Sequence, residues 1–279
     1  TSRKEPRSGE GAAEGTLHLF DVTGPYQIPY GVMVPKQHRG ILFPVGISST
    51  HVAMCTVRME PVWSSLGQAA GVAAALAIDH DKELGDLPVS QIQDQLVKQG
   101  CVLFFYTDLP RDAPSFEAVQ KLSLLGAVAN NDPDRFHSNG PAASLTDLNK
   151  EAYRFRPKEL VTRSEFARMV VKGLQVPLSI TAAHFSDVPR GHPAFQYIET
   201  LYDYSTQSHE PFFDYEIHKE PGKSSRVLVR PDQKVTSATA IKIISGMLRK
   251  KVQGWPKPDA NLTRGEAAQL ICQQNDMNN

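Results

Sequence analysis

An internal repeat in the second half of the chain constrains its fold more than any other feature. Tyr106-Thr107-Asp108-Leu109-Pro110-Arg111 returns as Phe185-Ser186-Asp187-Val188-Pro189-Arg190, and each copy leads into a helix-like stretch, 115–125 and 194–204. Arg156-Pro157-Lys158-Glu159-Leu160-Val161-Thr162 likewise returns as Arg230-Pro231-Asp232-Gln233-Lys234-Val235-Thr236, with a shortened echo at Pro258-Asp259-Ala260-Asn261-Leu262-Thr263. After each Thr the spacing predicts an amphipathic helix, over 163–174, 237–248 and 264–273. Each Thr stands where an N-cap is wanted, and Glu165 and Glu266, three residues after Thr162 and Thr263, complete a capping box. Phe166, Met169, Val170 and Leu174 form one apolar stripe, and Ile241, Ile244 and Leu248 form another. Such units cannot bury their stripes alone, so they must stack on one another.

The first half carries a different signal. Residues 41–45 are an apolar run ended by Gly46, short enough for a buried strand, and Glu60-Pro61 opens a helix with an acid and a proline in its first turn. Gly67, Ala69, Ala70, Gly71, Ala73, Ala74, Ala75 and Ala77 leave little side-chain bulk along that helix. Two readings follow: tight packing on a sheet, or close approach of a flat ligand to the backbone. The apolar stretch 66–78 is shorter than the roughly twenty residues of a membrane span, so no transmembrane segment is expected. A second helix is predicted over 91–98, ended by Gly100, and a short extended piece over 102–106. Residues 130–144 and 206–225, rich in turn formers, read as loops.

The rest of the chain mainly excludes. Thirty basic and thirty acidic residues cancel, which leaves no nucleic-acid footprint. Cys55, Cys101 and Cys272 are far apart and imply no disulfide framework. His184, His192, His209 and His218 lack metal-ligand spacing, and neither a G-x-S-x-G elbow nor a Walker loop occurs, so no metal, hydrolase or nucleotidase chemistry is expected. The N-terminal residues lack the apolar core of a signal peptide, although a longer precursor could carry one. Gly9-Glu10-Gly11-Ala12-Ala13-Glu14-Gly15 has one residue too many for G-x-G-x-x-G and follows a polar stretch, so residues 1–15 read as a flexible arm.

The run IPYGVMVPK…ILFPVGISSTHVAMCTVRMEPVWSSLGQAAGVAAALAI resembles the C-terminal part of a bacterial FAD-dependent oxidoreductase, of the family often labelled xanthan lyase. The likeness covers roughly residues 26–103. It implies FAD as cofactor, with Gly46, Ser48, Ser49, Thr50, Met59 and Glu60 near the isoalloxazine, and with Gly67, Gln68, Ala69 and Gly71 opening the helix that closes the site. His51 would stand over the ring as acid, base or hydrogen-bond donor. Its bland alternative is a loop histidine bonded to backbone. Arg58 would hold a substrate carboxylate or stabilise anionic flavin, against the alternative of an ion pair with Glu60. The unit that holds the ADP half of FAD in such enzymes is not found here, so the chain reads as the C-terminal part of something longer. Its expected partner is an N-terminal FAD-binding portion of the same or another chain.

The second half is similar to tandem S-layer homology repeats, with their F-x-D-V, Pro-Asp and T-R-x-E signatures. That likeness implies secretion, to a periplasmic or extracellular place, and cell-wall glycan as a possible partner gripped by Arg163 and Arg264. The second copy reads Thr236-Ser237-Ala238-Thr239, without the Arg and the Glu. The alternative for these arginines is a structural helix bundle.

The expected architecture is therefore an α/β flavin-domain C-terminal segment, residues 16–104, plus a mainly α-helical S-layer-homology-like repeat module, residues 105–279. The expected function is completion of a flavin site for hydride transfer from a hydroxylated substrate such as a carbohydrate. A non-enzymatic binding or assembly module and a polysaccharide lyase are the competing readings. A lyase needs a base and a charge neutraliser in a sugar cleft, and no such constellation can be read here.

Overall fold

The computed structural model describes residues 26–128, 153–179, 182–219, 221–222, 225–252 and 259–276. The arm at 1–15 and the loop at 130–144 lie outside them. The chain divides into two compact units between Cys101 and Val102.

In the first unit, a 3-10 turn at Tyr30–Met33 precedes three helices, α1 His51–Val57, α2 Glu60–Asp79 and α3 Val89–Lys98, with a second 3-10 turn at Leu84–Asp86. Met33, Ile47, Val57 and Leu66 form a small core, against which Tyr30, Leu42, Ala69 and Ala70 pack. The strand expected over 41–45 does not form. Phe43 N–H donates to the Met33 carbonyl and Ser48 N–H to that of Val32, but no neighbouring strand runs alongside among the described residues. Ile41, Phe43 and Val45 are exposed while Leu42 and Pro44 are half-buried, so the side-chain alternation of a strand survives without its ladder. The extended piece expected over 102–106 is likewise irregular.

The helix α1 was not expected. Thr50 is its N-cap, accepting from the Ala53 N–H at 3.1 Å, so the polar loop ends in a capping residue. Helix α2 starts at Glu60 with Pro61 in its first turn, as the sequence requires. Leu66, Ala73, Leu76 and Ala77 are its buried residues, and α2 packs on α3. By length and hydropathy the 20-residue helix α2 is long and apolar enough to cross a membrane, a test that the core helix of a soluble protein also passes. Gly100, at φ +78°, follows the end of α3 in a conformation that suits glycine.

The second unit is mainly helical: α4 Phe116–Leu124, α5 Arg163–Gly173, α6 Phe195–Ser208, α7 Ser237–Leu248 and α8 Arg264–Asp276. A short antiparallel hairpin, β1 Glu216–His218 with β2 Arg226–Leu228, falls within and just after the stretch read as a loop, 206–225. The sequence gives little warning of it because each strand holds three residues.

The repeats close into a ring. Val161 N–H donates to the Leu262 carbonyl, Leu262 N–H to Val235, and Val235 N–H back to Val161, at 2.9, 2.9 and 3.1 Å. A second ring lies one step along: Arg163 N–H to Gln233, Ser237 N–H to Ala260, and Arg264 N–H to Glu159, at 2.9, 2.9 and 2.8 Å. Each corner thus bonds the next, and the three helix starts meet around one pseudo-three-fold centre. The repeated aspartates are clamps. Asp108 accepts from the Phe155 and Arg156 N–H groups, and Asp187 accepts from those of Val229 and Arg230. Arg156 and Arg230 both have positive φ, 60° and 53°, so the clamp holds a turn that non-glycine residues rarely adopt. Around the ring, α4 packs on α8, and α6 packs on α5 and α7. Gly173 is required where α4, α5 and α8 meet, because a Cβ there would come within 2.8 Å of Leu122 and 2.7 Å of Ile271.

Candidate functional site

The candidate flavin-side residues lie in one continuous stretch of the first unit, from the turn at Gly46 to the first half of α2. Ser48, Ser49 and Thr50 are exposed, and the Thr50 hydroxyl is spent on capping α1. His51 is the exposed first residue of that helix. Its carbonyl accepts from the Cys55 thiol, while its ring carries no hydrogen bond to a described residue. Arg58 C-caps α1 and is exposed; among the described residues it forms no ion pair with Glu60. Met59 N-caps α2 through its carbonyl, which accepts from Val62 and Trp63 N–H at 2.9 and 3.1 Å. Gln68 bonds Gln99 at 3.1 Å, which ties α2 to the end of α3.

Gly67 and Gly71 stand one turn apart on the exposed face of α2, followed by Ala74, Ala75 and Ile78, and Ile78 is 80% exposed. A Cβ on Gly46, Gly67 or Gly71 would meet nothing within 4 Å. Packing within this unit therefore does not account for these glycines. Ala69 and Ala70, by contrast, pack on the core. A further residue stands out that sequence reasoning passed over. Trp63 Nε1, in the first turn of α2, is shielded from solvent and has no hydrogen-bond partner among the described residues. An indole N–H that is buried usually finds one, and nothing in the local sequence marks it as unsatisfied.

This set fits a flat, polar-edged cofactor. It offers an open small-residue helix face, an exposed hydroxyl-bearing loop and a helix start beyond Met59. Residues 5–96 match the sequence model of the FAD dependent oxidoreductase family. FAD is the cofactor of that family. The match covers every candidate flavin-side residue and begins inside the stretch read as an arm; residues 97–279 lie beyond it. No curated protein matches the chain.

The second unit places its two candidate arginines differently from the groove-lining role. Arg163 and Arg264 are only 4% and 5% exposed. Arg163 Nη1 donates to the carbonyls of Asp214 and Val229, and its guanidinium lies 5.0 Å over the Phe213 ring. Arg264 Nε donates to the Phe155 carbonyl, its Nη1 meets the Glu165 carboxylate, and it lies 5.0 Å over Phe155. Burial lowers the Arg163 pKa from its ordinary value. The reason for both positions is the ring: each arginine follows a corner Thr and points across to the next corner. The pair Arg264–Glu165 shows what the second copy has lost. By the same rotation an Arg at Ser237 would meet Glu266, and a Glu at Thr239 would meet Arg163. The substitutions in the second copy thus remove one partner from each of two interfaces.

Proposed function

We propose that the first unit supplies one wall of an FAD site in an oxidoreductase, completed by an N-terminal FAD-binding portion of the same or another chain. The observation that carries this reading is the coincidence of the family match with an open glycine face on α2 that nothing in its own unit fills. Met59, Glu60, Gly67, Gln68 and Gly71 would hold the cofactor, with Gly46 and the Ser48–Thr50 hydroxyl loop beside it. Bound FAD would supply the two-electron acceptor for a hydroxylated substrate such as a carbohydrate. His51, exposed at the start of α1, would take the substrate hydroxyl proton, and Arg58 would hold an anionic group of the substrate. Exposed Ile41, Phe43, Val45 and Met59 support a missing protein surface over this unit, since scattered single apolar residues are ordinary but a concentration on one small unit is not.

A visible spectrum of the purified full chain, repeated after addition of FAD and desalting, tests this. A retained flavin band is expected once the complementary portion is present, and Gly71→Leu should weaken retention while leaving the helical content unchanged. Equal retention by that variant would remove α2 from the site. A second reading, a non-enzymatic binding or assembly module, draws on the self-closed second unit. There, cell-wall glycan would have to be gripped by groups other than the inward-facing Arg163 and Arg264.

A further inference from the structure

We propose that the outer face of α7 is a docking groove for an acidic helix of a partner protein, occupying the third outer-helix position of the ring. The inference concerns the second unit alone and does not depend on the FAD reading. In register with the corners, Arg163, Ser237 and Arg264 are equivalent, so Arg168, Lys242 and Gln269 are too, as are Val171, Ser245 and Cys272. On α8 this face is covered by α4. Gln269 donates to the Pro114 carbonyl at 2.9 Å, and the Cys272 thiol to that of Ala118 at 3.5 Å. On α5 it is covered by α6, where Arg168 lies 5.8 Å over the Tyr197 ring.

On α7 no outer helix occupies the equivalent place among the described residues. Burial follows the coverage. Ala167 and Ala268 are wholly buried and Val171 and Cys272 nearly so, whereas Ile241 and Ser245, their counterparts on α7, are only half-buried. Val252 turns back over one end, its N–H donating to the Ser245 hydroxyl at 3.2 Å. Beside it an open cavity of about 430 Å³ remains, bordered by Lys242, Ser245, Gly246, Arg249, Lys250 and Lys251.

The lining chooses the occupant. Four cations and one carboxylate, Glu210, line the cavity, together with Ser208 and Phe212 from the end of α6 and the turn beyond. A basic groove repels an equally basic copy of itself and attracts an acidic segment, and the ring geometry sets a single helix as its shape. Ile241 supplies the apolar anchor and the lysines supply the charge selection.

A usable probe already exists in the fold. The α6 sequence, residues 194–208, has the length that covers α5 and carries Glu199 and Asp203 with no Lys or Arg. Labelled and titrated against the full chain by fluorescence anisotropy, this peptide should bind saturably and weaken as salt is raised through the screening range. Lys242→Glu with Lys251→Glu should weaken it by about tenfold or more, the scale on which reversed groove charges act. Circular dichroism should be unchanged, which separates lost docking from lost fold. Absence of saturable binding up to about 1 mM, the weak end of specific association, would overturn the proposal. So would equal binding by the charge-reversed chain or by a Glu199→Gln, Asp203→Asn peptide. Self-association of the chain that the same double variant abolishes would assign the groove to a second copy and overturn the proposal as stated.

Discussion

The two units bury themselves in opposite ways. The second closes on itself through two rings of backbone hydrogen bonds, with Phe155, Phe166, Ile243, Ile244 and Leu270 almost wholly buried. The first keeps a small core beneath α2 and leaves Ile41, Phe43, Val45, Val52, Met59 and Ile78 exposed. The difference teaches where each unit's apolar residues are meant to be satisfied. In the second they meet other repeats of the same chain; in the first, side chains of the 41–45 segment and of α2 stay exposed, as the proposed complementary portion would require.

Core truncation should break the comparison most sharply. Phe166→Ala, which empties a fully buried site at the ring, should cost about 3–5 kcal/mol. Phe43→Ala, at a side chain 42% exposed, should stay within about 0.5 kcal/mol. Urea midpoints compare the two, and equal losses would mean that Phe43 is buried in solution. Arg264→Ala comes next, at about 2–3 kcal/mol, because it leaves the Phe155 carbonyl and one oxygen of the part-exposed Glu165 carboxylate without their guanidinium partner. A midpoint unchanged in urea would show that the ring holds without its one complete Arg–Glu pair.

Two glycines sharpen the contrast with opposite signs. Gly173→Ala should destabilise by about 1–3 kcal/mol through overpacking against Ile271 and Leu122. Gly71→Ala meets open space and should stabilise α2 by up to about 1 kcal/mol through helix propensity. Thermal melts read both, and a loss at Gly71 would reveal a neighbour packed on that face.

The smallest effect is one of pH. Burial raises the Tyr215 pKa, partly offset by hydrogen bonds from the Ser205 hydroxyl and the Phe213 backbone. Its neutral form is therefore favoured by folding. The stability it contributes is complete below the unfolded value of about 10 and is lost as pH rises through the higher folded value. Tyr215→Phe should flatten the alkaline fall in urea midpoint, and an identical slope would place Tyr215 in solvent.

Local chemistry was legible wherever the sequence repeated itself. Helix starts at Arg163, Ser237 and Arg264, the Thr162–Glu165 capping box and the glycine beyond α3 all follow from neighbours a few residues apart. Helix α1 is not legible in the sequence although Thr50 carries its cap, because its seven residues lack a sustained stripe. The apolar content of 41–45 points to a strand, but a ladder needs a second strand and local sequence cannot say where one is. Within the candidate flavin stretch, the residues were found from sequence and their free surface was not. Trp63 shows why, since an unpaired indole N–H is defined by what surrounds it.

The sequence by itself determined the helices other than α1, the caps at the repeat corners, the repeat boundaries and the family to which residues 5–96 are similar, since these depend on propensity and spacing along the chain. Only the tertiary structure decided that Arg163 and Arg264 face inward, that Asp108 and Asp187 clamp turns, that α2 leaves its glycine face open, and that two of the three inner helices are covered by an outer helix among the described residues. Each of those depends on distances between residues far apart in the chain. Backbone donors and apolar faces settle them only when the repeats close and every buried group must find a partner.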